Sequence, residues 1–224
     1  MAALGGAGLG VCALLAACSP VQVGSAAIVG NQRITTTSLA QEVSDLSNGY
    51  QAYKNQVQLQ YPVSEMPQQV LAWLVRFQVR DRLAQREGIT VTSAQVQQAL
   101  AAIAAQIRSS GSSATLSQIA VANGLPPDLL KELGRYQAIE TTLLNRLDGG
   151  KLPTATAAQQ ALAAQFNGSQ CRAAKSLAIQ INPQFGLLDY TTFAIVPAQT
   201  TLSRGQGSAA PSPSASAPQL TPPC

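Results

Sequence analysis

Two short β-favouring segments stand about 150 residues apart, one near each end of a long stretch of helical periodicity. The first is residues 26–29 (AAIV), where Gly30-Asn31 reads as a turn and Gln32 to Thr35 can carry the extended chain past it. The second is residues 176–181 (SLAIQI), followed by another β-favouring run at 191–196. Extended backbone must pair its N–H and C=O groups. The spacing therefore predicts that residues 26–29 pair with 176–181 or with 191–196, so that the two ends of the body meet in a small sheet closing a helical domain.

Between these segments the period is helical. Leu39, Val43, Leu46, Tyr50, Tyr53, Val57 and Tyr61 recur at steps of three and four, predicting one helix of about six turns capped by Thr37 or Ser38. A second helix starts near Pro67 and ends before Gly88; Val70, Leu71, Trp73, Leu74, Val75, Phe77, Val79 and Leu83 cover most of its circumference, which marks the most buried helix. Thr92 or Ser93 caps a third, with Val96, Leu100, Ile103 and Ile107 facing one way. SSGSS at 109–113 is a loop, and residues 116–122 form a short helix stopped by Asn123-Gly124. A long helix opens at Pro126-Pro127-Asp128, carries Leu129, Leu133, Tyr136, Leu143, Leu144 and Leu147, and stops at Gly149-Gly150. The Ala/Gln-rich stretch after Pro153 holds one more. Residues 199–224 are Ser, Pro, Ala and Gln, too poor in apolar side chains to offset chain entropy, and read as a disordered tail.

The first 17 residues carry no charge and fall short of the roughly 20 that span a bilayer, the texture of an export signal. Leu15-Ala16-Ala17-Cys18 resembles a bacterial lipobox, although no Lys or Arg precedes the apolar run. That resemblance implies cleavage before Cys18, a palmitate-class lipid on its thiol, a tether over 18–25, and a lipoprotein held on the extracytoplasmic face of the cell membrane. Outside the cytosol, Cys171 and Cys224 can form a disulfide. GGAGLG at 5–10 follows no strand and precedes no Lys, so it is not a phosphate loop.

Composition excludes more than it assigns. The chain has no histidine, which removes the commonest general base, triad member and metal ligand together. No catalytic residue, cofactor or metal site is expected, and an enzyme built on Cys171 or a serine lacks a base. The net charge of +4 is spread over few charged residues. Arg76, Arg80, Arg82 and Arg86 with Trp73 and Phe77 are the nearest approach to a basic-aromatic stripe, but at helical spacing they span more than one side. They read as a solvated polar surface, not a nucleic-acid footprint. Asp128, Glu132 and Glu140 read as solvated helix positions, and no two carboxylates fall together in one cleft.

AAIVGNQRIT with its following helix, VLAWLVRFQVRDRLAQREGITVTSAQVQQAL, and LLKELGRYQAIETTLLNRL together resemble the N-terminal module of SurA-type and PrsA-type extracytoplasmic chaperones. INPQFGLLDY resembles the closing strand of actinobacterial lipoproteins of that group, with Gln184 where their pattern has arginine. The resemblance implies a mainly α fold over 26–198: a helical body at 36–148, a linker and helix at 149–175, and closing strands at 176–196. It also implies binding of unfolded or nascent exported polypeptides. Trp73, Phe77 and Tyr136 are the candidate contacts, the helical core being the alternative place for Trp73 and Phe77. The relatives carry a parvulin prolyl-isomerase domain of about 90–100 residues after the helical module, where this chain has only GGKLPTATAAQQ. Parvulin sites also use paired histidines. The expectation is a chaperone-like binder without isomerase activity; the alternative is an envelope scaffold lipoprotein serving one specific protein partner.

Overall fold

The computed structural model describes residues 23–150 and 154–197. The candidate lipidation residue Cys18, the export signal and the 199–224 tail lie outside the described residues. Within them the protein is mainly helical, with two small antiparallel sheets.

Strand β1 (Ser25–Val29) and β2 (Gln32–Thr35) form a hairpin across Gly30-Asn31. Gly30 holds φ +63°, the left-handed value a two-residue hairpin asks of its first turn position, and its N–H donates to the Leu177 carbonyl at 2.6 Å. The other edge of β1 pairs with β3 (Gln180–Ile181), Ala27 opposite Ile181 and Ile28 opposite Gln180. Asn182 secures this junction: its backbone N–H donates to the Ala26 carbonyl and its side-chain Nδ2 to the Ser25 carbonyl, both at 2.9 Å. The predicted meeting of the ends is thus formed, through the 176–181 segment. β1 is paired on both edges, by β2 and by β3. Residues 191–196 do not reach β1; β5 (Ala194–Val196) pairs with β4 (Leu187–Asp189) in a separate hairpin.

Helix α1 (Thr36–Tyr53) is capped by Thr35, two or three residues before the expected cap, with its hydroxyl accepting from Ser38 N–H at 2.9 Å. It is also shorter than six turns. Beyond Lys54-Asn55-Gln56 the apolar residues are Val57, Leu59 and Tyr61, a spacing of two, and this stretch packs on the core as irregular chain. Its Gln60 N–H donates to the Ala122 carbonyl. Helix α2 (Met66–Arg86) buries ten residues and touches α1, α5, α6, β1 and β5. It is the central helix its sequence predicted, and each fully buried Leu or Val on it contributes about 1.5–3 kcal/mol.

Helix α3 (Ser93–Ser109) opens with a Thr92/Gln95 capping box, and α4 (Leu116–Ala122) with the same device from Thr115 and Gln118. A single 3₁₀ turn at Pro127–Leu129 precedes α5 (Leu130–Leu147). Helices α3 and α5 touch at Gly134, where an added Cβ would sit 2.8 Å from Leu100 Cγ and 3.0 Å from the Val96 carbonyl. Helix α6 (Thr156–Ser176) runs to Ser176, so the 176–181 segment enters strand only at Gln180; Leu177 caps the helix and Ala178 takes φ +44° to redirect the chain. None of the helices among the described residues is long and apolar enough to cross a membrane.

Candidate functional site

Along α2, Trp73, Arg76, Phe77 and Arg80 occupy positions i, i+3, i+4 and i+7 and share a face turned toward α5 and α6. From α5 comes Tyr136, one turn before Glu140. The rings of Trp73, Phe77 and Tyr136 close a triangle with centroids 5.7, 6.3 and 5.9 Å apart, both contacts to Tyr136 being edge-on. The three candidate contacts of the sequence are therefore one cluster. They differ in access: Phe77 is buried, Trp73 and Tyr136 are half-buried, and the Trp73 indole N–H is held by the Asn123 carbonyl at 3.0 Å.

Arg80 does not belong to a solvated surface. It is 1% exposed, with its guanidinium carbon 3.8 Å from the Tyr136 ring centroid and 4.9 Å from that of Phe166 on α6. Its Nη1 donates to Glu140 Oε2 at 2.9 Å. Glu140 is likewise no free helix carboxylate. Sequence reading missed both because charge alone does not reveal burial; a basic residue one turn after Phe77 on the most buried helix was the available signal.

A cavity of about 410 Å³ opens beside this stack. Arg76 and Tyr136 form its inner wall, Asn167, Gly168, Gln170 and Cys171 of α6 a second, and the β4–β5 connection from Tyr190 to Phe193 its lip. That lip is tied by local hydrogen bonds. Asp189 accepts from the Thr191 N–H at 2.8 Å and the Thr192 hydroxyl at 2.7 Å, and these hydrogen bonds hold its carboxyl below the ordinary value. Phe193, at φ +53°, lines the cleft. Cys171 is buried and disulfide-bonded; its expected partner, Cys224, lies outside the described residues.

Arg76 enters the cleft with little to hold it. Its guanidinium carbon lies 4.9 Å from the Trp73 ring centroid and Nη2 donates to the Thr192 carbonyl at 3.3 Å. Burial lowers its pKa, offset in part by Tyr136. Elsewhere, Glu42 and Asp45 of α1 and Asp128 bring carboxylate oxygens within 4.8 Å of one another, so carboxylates do gather where the sequence indicated none. Burial first, then the neighbouring charges of Asp128, Asp45 and Glu132, pushes Glu42 up to about 7.

Residues 9–144 match the family described as the SurA-like N-terminal domain, more than half of the chain. The chain belongs to the SurA-like N-terminal domain family. No curated protein and no solved structure matches it. Membership supplies a chaperone-type domain and is consistent with binding unfolded polypeptides. The matched span takes in β1 to most of α5, and so the inner wall of the cleft; α6 and the β4–β5 hairpin, which complete it, lie beyond the SurA-like match.

Proposed function

We propose that this protein is a chaperone-like lipoprotein that binds unfolded or partly folded exported polypeptides in the cleft between α2, α5, α6 and the β4–β5 hairpin. The observation carrying this reading is the cleft itself: a cavity of about 410 Å³ in a SurA-like domain, walled by Tyr136, Tyr190 and Phe193 and by amide and hydroxyl groups able to meet a peptide backbone. Pockets that mix apolar walls with a few convergent polar groups are where ligands bind. The lipobox supports anchoring through a lipid on Cys18 at the extracytoplasmic face of the cell membrane.

Isomerase activity is not part of the proposal. With no histidine in the sequence, the chain lacks the imidazole pair of a parvulin site, and help to folding comes from binding alone. The test is whether the purified protein slows aggregation of several unrelated unfolded proteins while leaving the isomerisation rate of a proline peptide unchanged. Aggregation unaffected at several-fold molar excess, together with capture of one native partner, would replace this reading with the scaffold alternative. Anchoring is tested separately: Cys18→Ser should shift the protein from the membrane fraction to the soluble one.

A further inference from the structure

Among the four arginines of α2 that the sequence grouped together, only Arg76 stands in the wall of the large cleft, and it is the only charged residue there among the described residues. Its neighbours are otherwise occupied. Arg80, one turn on, is neutralised by Glu140 and enclosed by two rings. Arg82 and Arg86 are exposed, Arg82 sharing Gln85. Arg76 makes neither of the two ion pairs found among the described residues, and one carbonyl at 3.3 Å uses one of its five N–H donors. Asp189, which precedes the lip, accepts from the Thr191 N–H and the Thr192 hydroxyl.

A guanidinium taken partly out of water without an anion is costly, and a carboxylate bound by its planar fork is the geometry that relieves the cost. Stacking on Trp73 engages the face of the guanidinium and leaves its N–H edge for such a fork. The Asn167 and Gln170 amides stand in the same wall and can donate to the same oxygens.

We propose that the cleft is a carboxylate-reading site for unfolded polypeptide, in which Arg76 pairs with a client carboxylate while Tyr136, Tyr190 and Phe193 take the adjoining apolar or aromatic residue. This rests on the reading of the cleft as the client site and adds a substrate class to it: segments that place an acidic group beside an apolar one. The carboxylate can be that of Asp or Glu or of a chain end.

Fluorescence anisotropy with three labelled peptides of one aromatic-containing sequence separates these sources: an internal Glu with an amidated end, Gln with a free end, and Gln with an amidated end. Each is titrated with the full-length protein and with Arg76→Gln and Arg76→Lys, whose folding is checked by circular dichroism. A carboxylate peptide should bind the unmodified protein about 10-fold more tightly than the neutral one, and Arg76→Gln should erase that difference. Arg76→Lys, retaining charge without the fork, should keep part of it. Which of the first two peptides shows the gain identifies the source. Equal binding of all three to the unmodified protein, or discrimination that survives Arg76→Gln, overturns the carboxylate site while leaving the client cleft standing. Binding of none overturns both.

Discussion

The two faces of α2 treat polar groups in opposite ways. Toward α1 and the closing sheet, Val70, Leu71, Val75 and Val79 are at most 1% exposed and pack against Leu39, Leu46 and Val29, while the strand backbone is paired on both sides of β1. Toward α5 and α6, the same helix turns two arginines into an aromatic enclosure, one neutralised and one not. The first face is finished by folding; the second keeps hydrogen-bonding capacity that folding does not use. One helix thus serves both as the centre of the core and as the wall of a site, because a helix divides its residues among faces by spacing alone.

The sharpest way to break this contrast is at the settled arginine. Glu140→Ala leaves Arg80 buried without its anion and should cost about 2–4 kcal/mol, below the usual range for breaking a buried pair because Glu140 is 27% exposed. The double replacement Arg80→Met with Glu140→Leu should lie within about 1 kcal/mol of the parent, since an apolar pair carries no uncompensated charge. Urea unfolding midpoints compare the two; an equal loss in both would mean that packing, not charge, governs this enclosure.

On the closed face, Asn182→Ala removes the side-chain clamp on the Ser25 carbonyl and the acceptor for Gln184 N–H. It should lower stability by about 1–2 kcal/mol by thermal unfolding, with peptide affinity unchanged. A loss of peptide binding at constant stability would show that the two faces are coupled.

Glu42 offers a smaller and pH-dependent test. Above 4.5 the unfolded chain releases this proton, whereas the folded protein keeps it until about 7. The folded state then binds more protons through that window, and stability falls as pH rises across it. Solvent screening of a partly exposed group reduces the effect to about 1 kcal/mol between pH 4.5 and 7.5. Glu42→Gln should flatten the profile and stabilise the protein at the upper end; an unchanged slope would assign it to other groups. The smallest expected effect is that of Arg76→Gln on stability, within about 0.5 kcal/mol of the parent, since no ion pair is lost; a large drop would make Arg76 structural.

Helices were legible because their apolar periodicity survives without tertiary information. Residues 116–122, bounded by Thr115 and Asn123-Gly124, carried their own start and stop. Val57 and Tyr61 misled because i, i+4 spacing also fits every second residue of an extended chain; Leu59 between them held the answer. The β4 strand, three residues long, gave no signal in its own periodicity, and only the resemblance carried by INPQFGLLDY reached it. The aromatic cluster was readable as residues but not as a place, and Arg76 was hidden because a surface arginine and a cleft arginine look alike in a sequence. The acidic trio is invisible for the same reason: Asp128 lies more than 80 residues from Glu42.

The pairing of β1 with β3 also sets a timetable. Ser25 and Asn182 are 157 residues apart in the chain, yet they share a hydrogen bond. A polypeptide that emerges from its N-terminus first can form the β1–β2 hairpin and stack its early helices, but one edge of β1 stays open until the last helix and Gln180–Ile181 have followed. Contacts of such high sequence separation close late and slow the overall rate, because the entropy of a long loop is lost before its contacts form. During that interval the nascent molecule exposes an unpaired strand edge beside apolar helices, the condition that invites aggregation. Until β3 arrives, the protein is itself the kind of chain that a chaperone protects.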